Sequence, residues 1–421
     1  MAVYDRWWKT ERQPDGTRRK VRSDDYGCRE RWQVRWRDEQ GHQRKQSHER
    51  KADAEQAEAK IRAQLAEGTY VDPSAGQVTF RAYAEEWRRT RMHDPATAER
   101  VESALRNHAY AGEGAAGTTP GGGQAIGDYP LRILAKRTSV LQAWIAGLPL
   151  NANSARTVIG YASQVFTAAA EDGVIARNPL SARSVQRPSP VKTEAVPWSL
   201  AEVEAVSAAL PEWLAAVPYL GAACGQRQGE LFATAKSDVD FLRRAVRVGV
   251  QIKVVGGVQV FALRKNRKTR DVPVAERVLP VLAEHMRAFP PAAVTLPWHD
   301  PSDPRRHGQP VTRELVFTRP GGVQLEREAF NRPWRAAWAK AGIPDRGRLN
   351  GCHVLRHTAA SQWLSGGLNP AKVAYYLGDT LEVVIKTYAH FLPDDDDRAR
   401  VIMNLFFEPG SSAPDVPRAA R

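Results

Sequence analysis

The chain has 421 residues, of which 61 are Lys or Arg and 47 Asp or Glu, so it carries a net charge of +14. The length suggests two to four domains, and 42% hydrophobic with 26% charged residues excludes wholesale disorder. No run of 18 apolar residues occurs and the N-terminus MAVYDRWWKTERQ has no apolar signal core, so neither a membrane span nor secretion is expected, while a pI near 9.8 favours a polyanionic partner such as nucleic acid. Cys28, Cys224 and Cys352 are too scattered for a zinc pair or a disulfide framework, so a reducing cytoplasm is the expected setting.

The first seventy residues read as one unit. Trp7, Trp8, Trp32 and Trp36 interleave with basic residues, and Arg31 to Arg37 alternates with period two, which predicts a strand with one aromatic or aliphatic face and one basic face. Asp38-Glu39-Gln40-Gly41 predicts a hairpin turn into a second polar strand. Residues Ala52 to Glu67 predict a helix ended by Gly68, giving a small sheet backed by one helix. The basic face suits either a nucleic-acid groove or plain solvent.

Asp72 to Gly76 reads as a linker. Thr79 is placed to cap a helix whose inner stripe is Phe80, Tyr83, Ala84 and Trp87. A second helix is expected over Ala98 to Ala109, then a flexible glycine-rich loop from Gly112 to Gly127, then an amphipathic stretch from Thr138 to Leu148. Ser154 to Asp172 carries Val158, Tyr161, Ala162, Val165, Phe166 and Ala169 on one stripe and stops at Gly173, completing a four-helix-like domain. Arg183 to Pro197 predicts a linker, and Ser199 with Glu202 a capping box. Val246 to Val255, Gly256-Gly257 and Val258 to Leu263 predict a hairpin, with a third short strand at Asp271 to Val274. Pro290 to Pro310 reads as a long loop, and helices return from Glu326. No phosphate loop of the GxxxxGK[ST] type is present, which argues against an ATP-driven machine.

Three segments concentrate cationic and protic groups. In Cys224-Gly225-Gln226-Arg227-Gln228-Gly229-Glu230-Leu231, an arginine sits between glycines, and Glu230 is placed to orient it. In His353-Val354-Leu355-Arg356-His357, the i, i+3 spacing puts His353 and Arg356 on one helical face, which suits holding an anion and moving a proton beside it; His357 lies one position round, where a structural role is as reasonable. No HExxH pattern accompanies these histidines, so no metal is expected. In Leu377-Gly378-Asp379-Thr380 and the following Lys386-Thr387-Tyr388-Ala389-His390, Gly378 ends one helix and Asp379 with Glu382 reads as the cap of the next.

The order Gly-x-Arg-x-Gly-Glu, basic hairpin turn, His-x-Leu-Arg-His, then Leu-Gly-x about ten residues before Tyr resembles the tyrosine recombinase (phage integrase) family, over residues 76–395. Phe166 to Pro179 and Val316-Phe317-Thr318 add to the likeness, and the first seventy residues look like an integrase arm-binding module. The resemblance implies a multidomain α+β protein: an arm-type DNA-binding sheet and helix at 1–70, a helical SAM-like core-binding domain at 76–182, a mixed, mainly α catalytic domain with a small antiparallel sheet at 197–400, and a C-terminal tail at 401–421.

It further implies a site-specific recombinase that integrates phage or other mobile-element DNA, working in the cytoplasm of a prokaryotic host. Arg227 and Arg356 correspond to the arginines that clamp the scissile phosphate, Tyr388 to the nucleophile that forms a 3′-phosphotyrosyl bond, and His353 to a residue assisting proton transfer. Because the protein link keeps the phosphodiester energy, no cofactor is implied. The lysine that protonates the leaving oxygen is Lys265, with Lys268 the alternative. Asp379 departs from the His usual in the family; it reads either as a helix cap or as a carboxylate orienting an arginine or Tyr388. The implied partners are double-stranded DNA at core and arm sites, three further protomers in a tetramer on DNA from a monomer in solution, and a possible directionality factor. Val401 to Phe407 is too apolar for solvent and is expected to pack on its own chain or on a neighbouring protomer. The alternatives are a type IB topoisomerase-like or resolving enzyme, and a non-catalytic DNA-binding regulator on the same scaffold.

Overall fold

The computed structural model describes residues 1–13, 17–38, 41–67, 75–112, 117–191, 196–264, 267–393 and 396–407. The chain divides into two compact units, residues 1–192 and 193–421.

The first unit holds two separate cores. Near the N-terminus, β1 (Ala2–Asp5), β4 (Trp32–Arg37) and β5 (Gln43–His48) form an antiparallel sheet in the order β1-β4-β5, while β2 (Trp8–Arg12) and β3 (Arg18–Arg22) make a separate hairpin. The alternation in β4 works as the sequence suggests: Val34 and Trp36 are buried against Ala54 and Ile61 of helix α1 (Lys51–Ala66), and Arg35 and Arg37 face solvent. Gln33 is the exception. It is buried, and its side chain accepts from Arg35 Nε at 2.7 Å and donates to Ser47 Oγ at 3.2 Å, so its polar atoms stay satisfied. Glu39, Gln40 and Gly68 of the expected turns lie outside the described residues.

The second core of this unit gathers α2 (Phe80–Thr90), α3 (Pro95–His108), α4 (Leu131–Lys136), α5 (Thr138–Ala146) and α6 (Ala152–Glu171). Thr79 caps α2 by accepting from Ala82 N at 3.2 Å. The glycine-rich loop corrects the expectation of flexibility. Residues 117–127 pack closely: a Cβ on Gly121 would come 2.8 Å from Asn107 O, and one on Gly123 would come 2.8 Å from Gly147 O. At Gly121 and Gly123 the missing side chain lets backbone approach backbone, whereas Gly117 and Gly122 supply positive φ in open space; residues 113–116 of the expected loop lie outside the described residues.

The second unit opens with α7 (Leu200–Ala209), whose capping box of Ser199 and Glu202 is formed, then α8 (Val217–Cys224) and the short α9 (Gln228–Phe232). Its β structure is larger than the sequence suggests. The expected strand from Val246 to Val255 breaks at Gly249 into β7 (Ala245–Val248) and β8 (Val250–Val255), which belong to different sheets. One sheet is antiparallel, with β7 between β6 (Val239–Asp240) and β10 (Arg270–Pro273). The other runs β12-β11-β9-β8, where β9 (Val258–Leu263) pairs with β8 across the Gly256-Gly257 turn. The expected long loop at Pro290–Pro310 instead contains β11 (Ala292–His299), and Pro310 starts β12 (Pro310–Leu315). Val294, Leu296 and Trp298 alternate inward along β11, a period-two signal masked by the surrounding prolines. Because β11 lies parallel to β9, this sheet is mixed, not antiparallel throughout.

Helices α10 (Val278–Ala288), α11 (Arg327–Lys340), α12 (His353–Ser365), α13 (Pro370–Leu377), α14 (Leu381–Tyr388) and α15 (Asp396–Phe406) complete the unit. Trp198 and Trp334 stack at 5.4 Å in its main core. A smaller cluster of Ala360, Leu364, Val373, Leu377 and Val384 joins α12, α13 and α14 around the ring of Tyr388. Val401, Ile402, Met403, Leu405 and Phe406 of α15, and Phe407 after it, are all exposed, so among the described residues the expected burial of this segment on the same chain is not seen.

Candidate active site

Four segments bring charged side chains together in the second unit. Arg227 stands at the start of α9. Its backbone N–H donates to Glu230 Oε2 at 3.1 Å and its guanidinium donates to Glu230 Oε1 at 3.2 Å. Glu230 is buried and also pairs with Arg264 Nε at 2.6 Å and Arg270 at 2.8 Å. Burial alone would raise this carboxyl, but Arg270, Arg264 and Arg227 together hold it at about 2. Arg264 and Arg270 flank the basic turn after β9, and both reach α13: Arg264 donates to Gly378 O and Arg270 to Tyr376 O. Burial lowers Arg264 to about 10, which leaves it charged at neutral pH.

Arg356 lies in the first turns of α12 and is 1% exposed. Its Nη1 donates to the carbonyls of Gly225 and Leu377, each at 2.8 Å, and these two carbonyls end α8 and α13. Helix C-termini carry partial negative charge, so they suit a buried guanidinium. Its Nη2 donates to Asp379 Oδ2, while Arg227 Nη2 donates to Asp379 Oδ1. One carboxylate thus joins arginines from two distant segments. The cap assigned to Asp379 from sequence is made instead by Thr380, whose hydroxyl accepts from Val383 N at 3.3 Å. The carboxylate is drawn away from the helix end because two guanidiniums form stronger, charge-assisted bonds than one backbone N–H.

Gly378 links these parts. Its φ of 63° ends α13 in the left-handed region, and a Cβ there would fall 2.0 Å from Arg264 Nη2. Glycine is needed for the backbone conformation and for the guanidinium packed on it.

Tyr388 ends α14 with its ring 3% exposed. Its hydroxyl is 2.8 Å from His357 Nδ1. Burial pushes the phenol up to about 12; Asp379 adds to this while Arg356 and Arg227 oppose it, so all three charges act on the hydroxyl. His357 is lowered to about 4, by burial first and then by Arg356. His353 presents a solvent-exposed ring whose centroid is 4.8 Å from that of His357, edge to face. It too is lowered to about 4, by desolvation from the packed atoms around it, then by His357, Arg356 and Arg227. A cleft of about 830 Å³ leads to His353 and is lined by Gln228, Arg327, Asn331 and Arg335.

Arg227, His353, Arg356, Asp379 and Tyr388 are therefore gathered in one place. Lys265 lies outside the described residues, and Lys268 is exposed beyond the turn. Sequence reasoning missed Arg264 and Arg270 as buried partners of Glu230, because a basic run at a turn looks the same whether its side chains point inward or outward. It also left His357 undecided between roles. Among the described residues no group of three or more His, Cys, Asp or Glu side chains is placed to hold a metal ion. The four arginines and two carboxylates of the cluster leave two positive charges, which suits an anionic ligand.

Comparison with known proteins places this geometry. Residues 199–394 match the phage integrase family. The chain is 25% identical over 301 residues to a XerC-like tyrosine recombinase of Caldanaerobacter subterraneus subsp. tengcongensis, covering 66% of this chain and 73% of that one. It is 23% identical over 347 residues to a putative prophage phiRv2 integrase of Mycobacterium tuberculosis, covering 80% and 82%. The Tn1549 transposon integrase, in complex with circular intermediate DNA, shares the fold with a TM-score of 0.59 at 16% identity, over 78% of this chain and all of that one.

Proposed function

This chain belongs, through residues 199–394, to the phage integrase family and is a tyrosine site-specific recombinase; from that premise we propose that it cleaves and rejoins double-stranded DNA with Tyr388 as nucleophile. The observation that carries the assignment of roles is the convergence of Arg227 and Arg356 on one carboxylate, with all three charges acting on the Tyr388 hydroxyl. Two guanidinium forks that share a carboxylate can equally share the non-bridging oxygens of a phosphodiester. They then offset the charge that builds as phosphorus becomes five-coordinate.

In the reaction, the Tyr388 oxygen attacks phosphorus and the bond to the 5′ oxygen breaks. The 5′ oxygen leaves with the electron pair and takes up a proton, and a 3′-phosphotyrosyl link remains. Attack by the 5′-hydroxyl of a partner duplex reverses the step and exchanges strands. Lys265, or Lys268 in its place, supplies the proton to the leaving oxygen. Glu230 orients Arg227 and keeps Arg264 and Arg270 compensated, and Asp379 aligns the two phosphate-binding arginines. His353, which lines the cleft, assists proton transfer at the phosphate.

The other parts of the chain serve binding. Residues 1–67 engage arm-type sites, with exposed Arg18, Arg19, Lys20 and Arg22 of β3 as backbone contacts. Residues 76–182 and the catalytic unit hold the core site, and four protomers act together on DNA. The test uses nicked duplexes tiling the DNA that flanks the coding region. The wild-type chain should give a covalent protein–DNA adduct on one of them, and Tyr388→Phe should give none while binding the same duplex. An adduct that persists in Tyr388→Phe would remove Tyr388 from the role of nucleophile. Wild-type binding without any adduct would favour a regulator.

A further inference from the structure

We propose that His357 is the base that accepts the phenolic proton of Tyr388 during cleavage, an inference that rests on the reading of Tyr388 as nucleophile. His357 Nδ1 lies 2.8 Å from the Tyr388 hydroxyl, within the reach a general base requires. The tyrosine ring is clamped by Ala360, Leu364, Val373, Leu377 and Val384, so its hydroxyl proton needs an acceptor inside the fold. Among the described residues the hydrogen-bond partner of that hydroxyl is His357. His353, the histidine that the sequence motif brings forward, has an exposed ring in an edge-to-face contact with His357, and among the described residues it makes no hydrogen bond to the Tyr388 hydroxyl.

The surroundings favour the acceptor form. Burial and the adjacent Arg356 keep the imidazole neutral, and a neutral ring whose Nε2 carries the hydrogen leaves Nδ1 free to accept. In the step, the O–H bond of Tyr388 breaks and its proton passes to Nδ1, while the phenolic oxygen forms its bond to phosphorus. The bond from phosphorus to the 5′ oxygen breaks, and that oxygen is protonated by the lysine described above or by water. The imidazolium then returns the proton when the phosphotyrosyl bond is resolved. A phosphate docked on Arg227 and Arg356 adds negative charge beside His357, which weakens the effect of Arg356 and strengthens the base only when substrate is in place. Proton transfer is thereby coupled to binding.

The experiment measures adduct formation by the full-length chain on the nicked duplex. His357→Asn can still accept a hydrogen bond but is not basic. It should bind the duplex as the wild type does and form adduct about 10²- to 10⁴-fold more slowly, the range general-base catalysis supplies. Replacing Tyr388 with a trifluorotyrosine, a more acidic phenol, should shrink that deficit by about tenfold or more, because a more acidic phenol depends less on its base. A His357→Asn rate equal to wild type, or a deficit unchanged by fluorination, overturns the proposal while leaving Tyr388 as nucleophile. If His357→Asn folds poorly, nitrogen-15 NMR of histidine-labelled wild-type chain decides the matter: hydrogen on Nε2 supports the proposal, and hydrogen on Nδ1 refutes it. A wild-type chain that forms no adduct overturns both readings together.

Discussion

Gly378 and the titrating groups of the cluster show how closely chemistry and stability are joined here. Gly378→Ala would force a left-handed backbone on a residue with a Cβ and push that Cβ into the Arg264 guanidinium. The backbone strain alone is worth about 1–3 kcal/mol, and displacing Arg264 also loosens its pairing with Glu230. Urea unfolding should show a loss of at least that size; a change below about 0.5 kcal/mol would mean the loop relaxes around the new side chain. Acid sensitivity follows from the same cluster. His353 and His357 titrate near 4 in the folded chain against 6.5 when free, so between those values the unfolded chain binds protons that the folded one does not. Stability should therefore fall as pH drops from 6.5 to about 4. Glu230 sits at about 2 against 4.5 when free, so its contribution, about 3 kcal/mol, is present above 4.5 and is lost as pH falls towards 2. Thermal melts across this range should show a progressive decline; a flat profile from 6.5 to 4 would contradict the lowered, neutral state of the histidines.

Elements with a strong local signal were legible in the sequence, and those whose logic is tertiary were not. The Thr79 and Ser199 caps and the stripe of α6 are written in neighbouring residues, and all three form as expected. The path of β11 depends on partners in β9 and β12, and its prolines speak against a strand, so it read as a loop. The glycines at 121 and 123 have two meanings, mobility or close contact, and only the packed neighbours decide between them. Asp379 illustrates the same limit at the site: the acid before a helix looks like a cap until arginines from two other segments arrive. Helix α15 carries the one element-scale prediction. Val401, Ile402, Met403, Leu405, Phe406 and Phe407 are all exposed, and such an apolar surface is expected to be covered in an assembly. Removing residues 401–421 should leave monomer folding unchanged and weaken formation of multimeric complexes on DNA, as read by unfolding curves and native gels. Undiminished multimers would exclude this helix as the joint between protomers.

At the scale of the whole molecule, the net charge of +14 makes binding to DNA chiefly a matter of counterion release. Should 6–10 phosphates be neutralised, affinity for a core-and-arm duplex would fall about 10³- to 10⁵-fold between 50 and 200 mM salt. Replacing Arg18 and Arg19 with Ala should lower the salt slope by about 1 for each phosphate contact removed. A slope unaltered by both changes would take β3 out of the interface. Asp379 gives this long-range attraction a particular meaning. Since the paired arginines already share one carboxylate of the chain itself, an incoming phosphate would exchange partners with that carboxylate as well as with water. A small anion would gain little from such a swap, whereas a duplex held at many phosphates would bring further contacts to offset the bonds lost by the carboxylate. On the reading of Arg227 and Arg356 as the phosphate-binding pair, such an exchange would favour a duplex held along its length over an isolated anion.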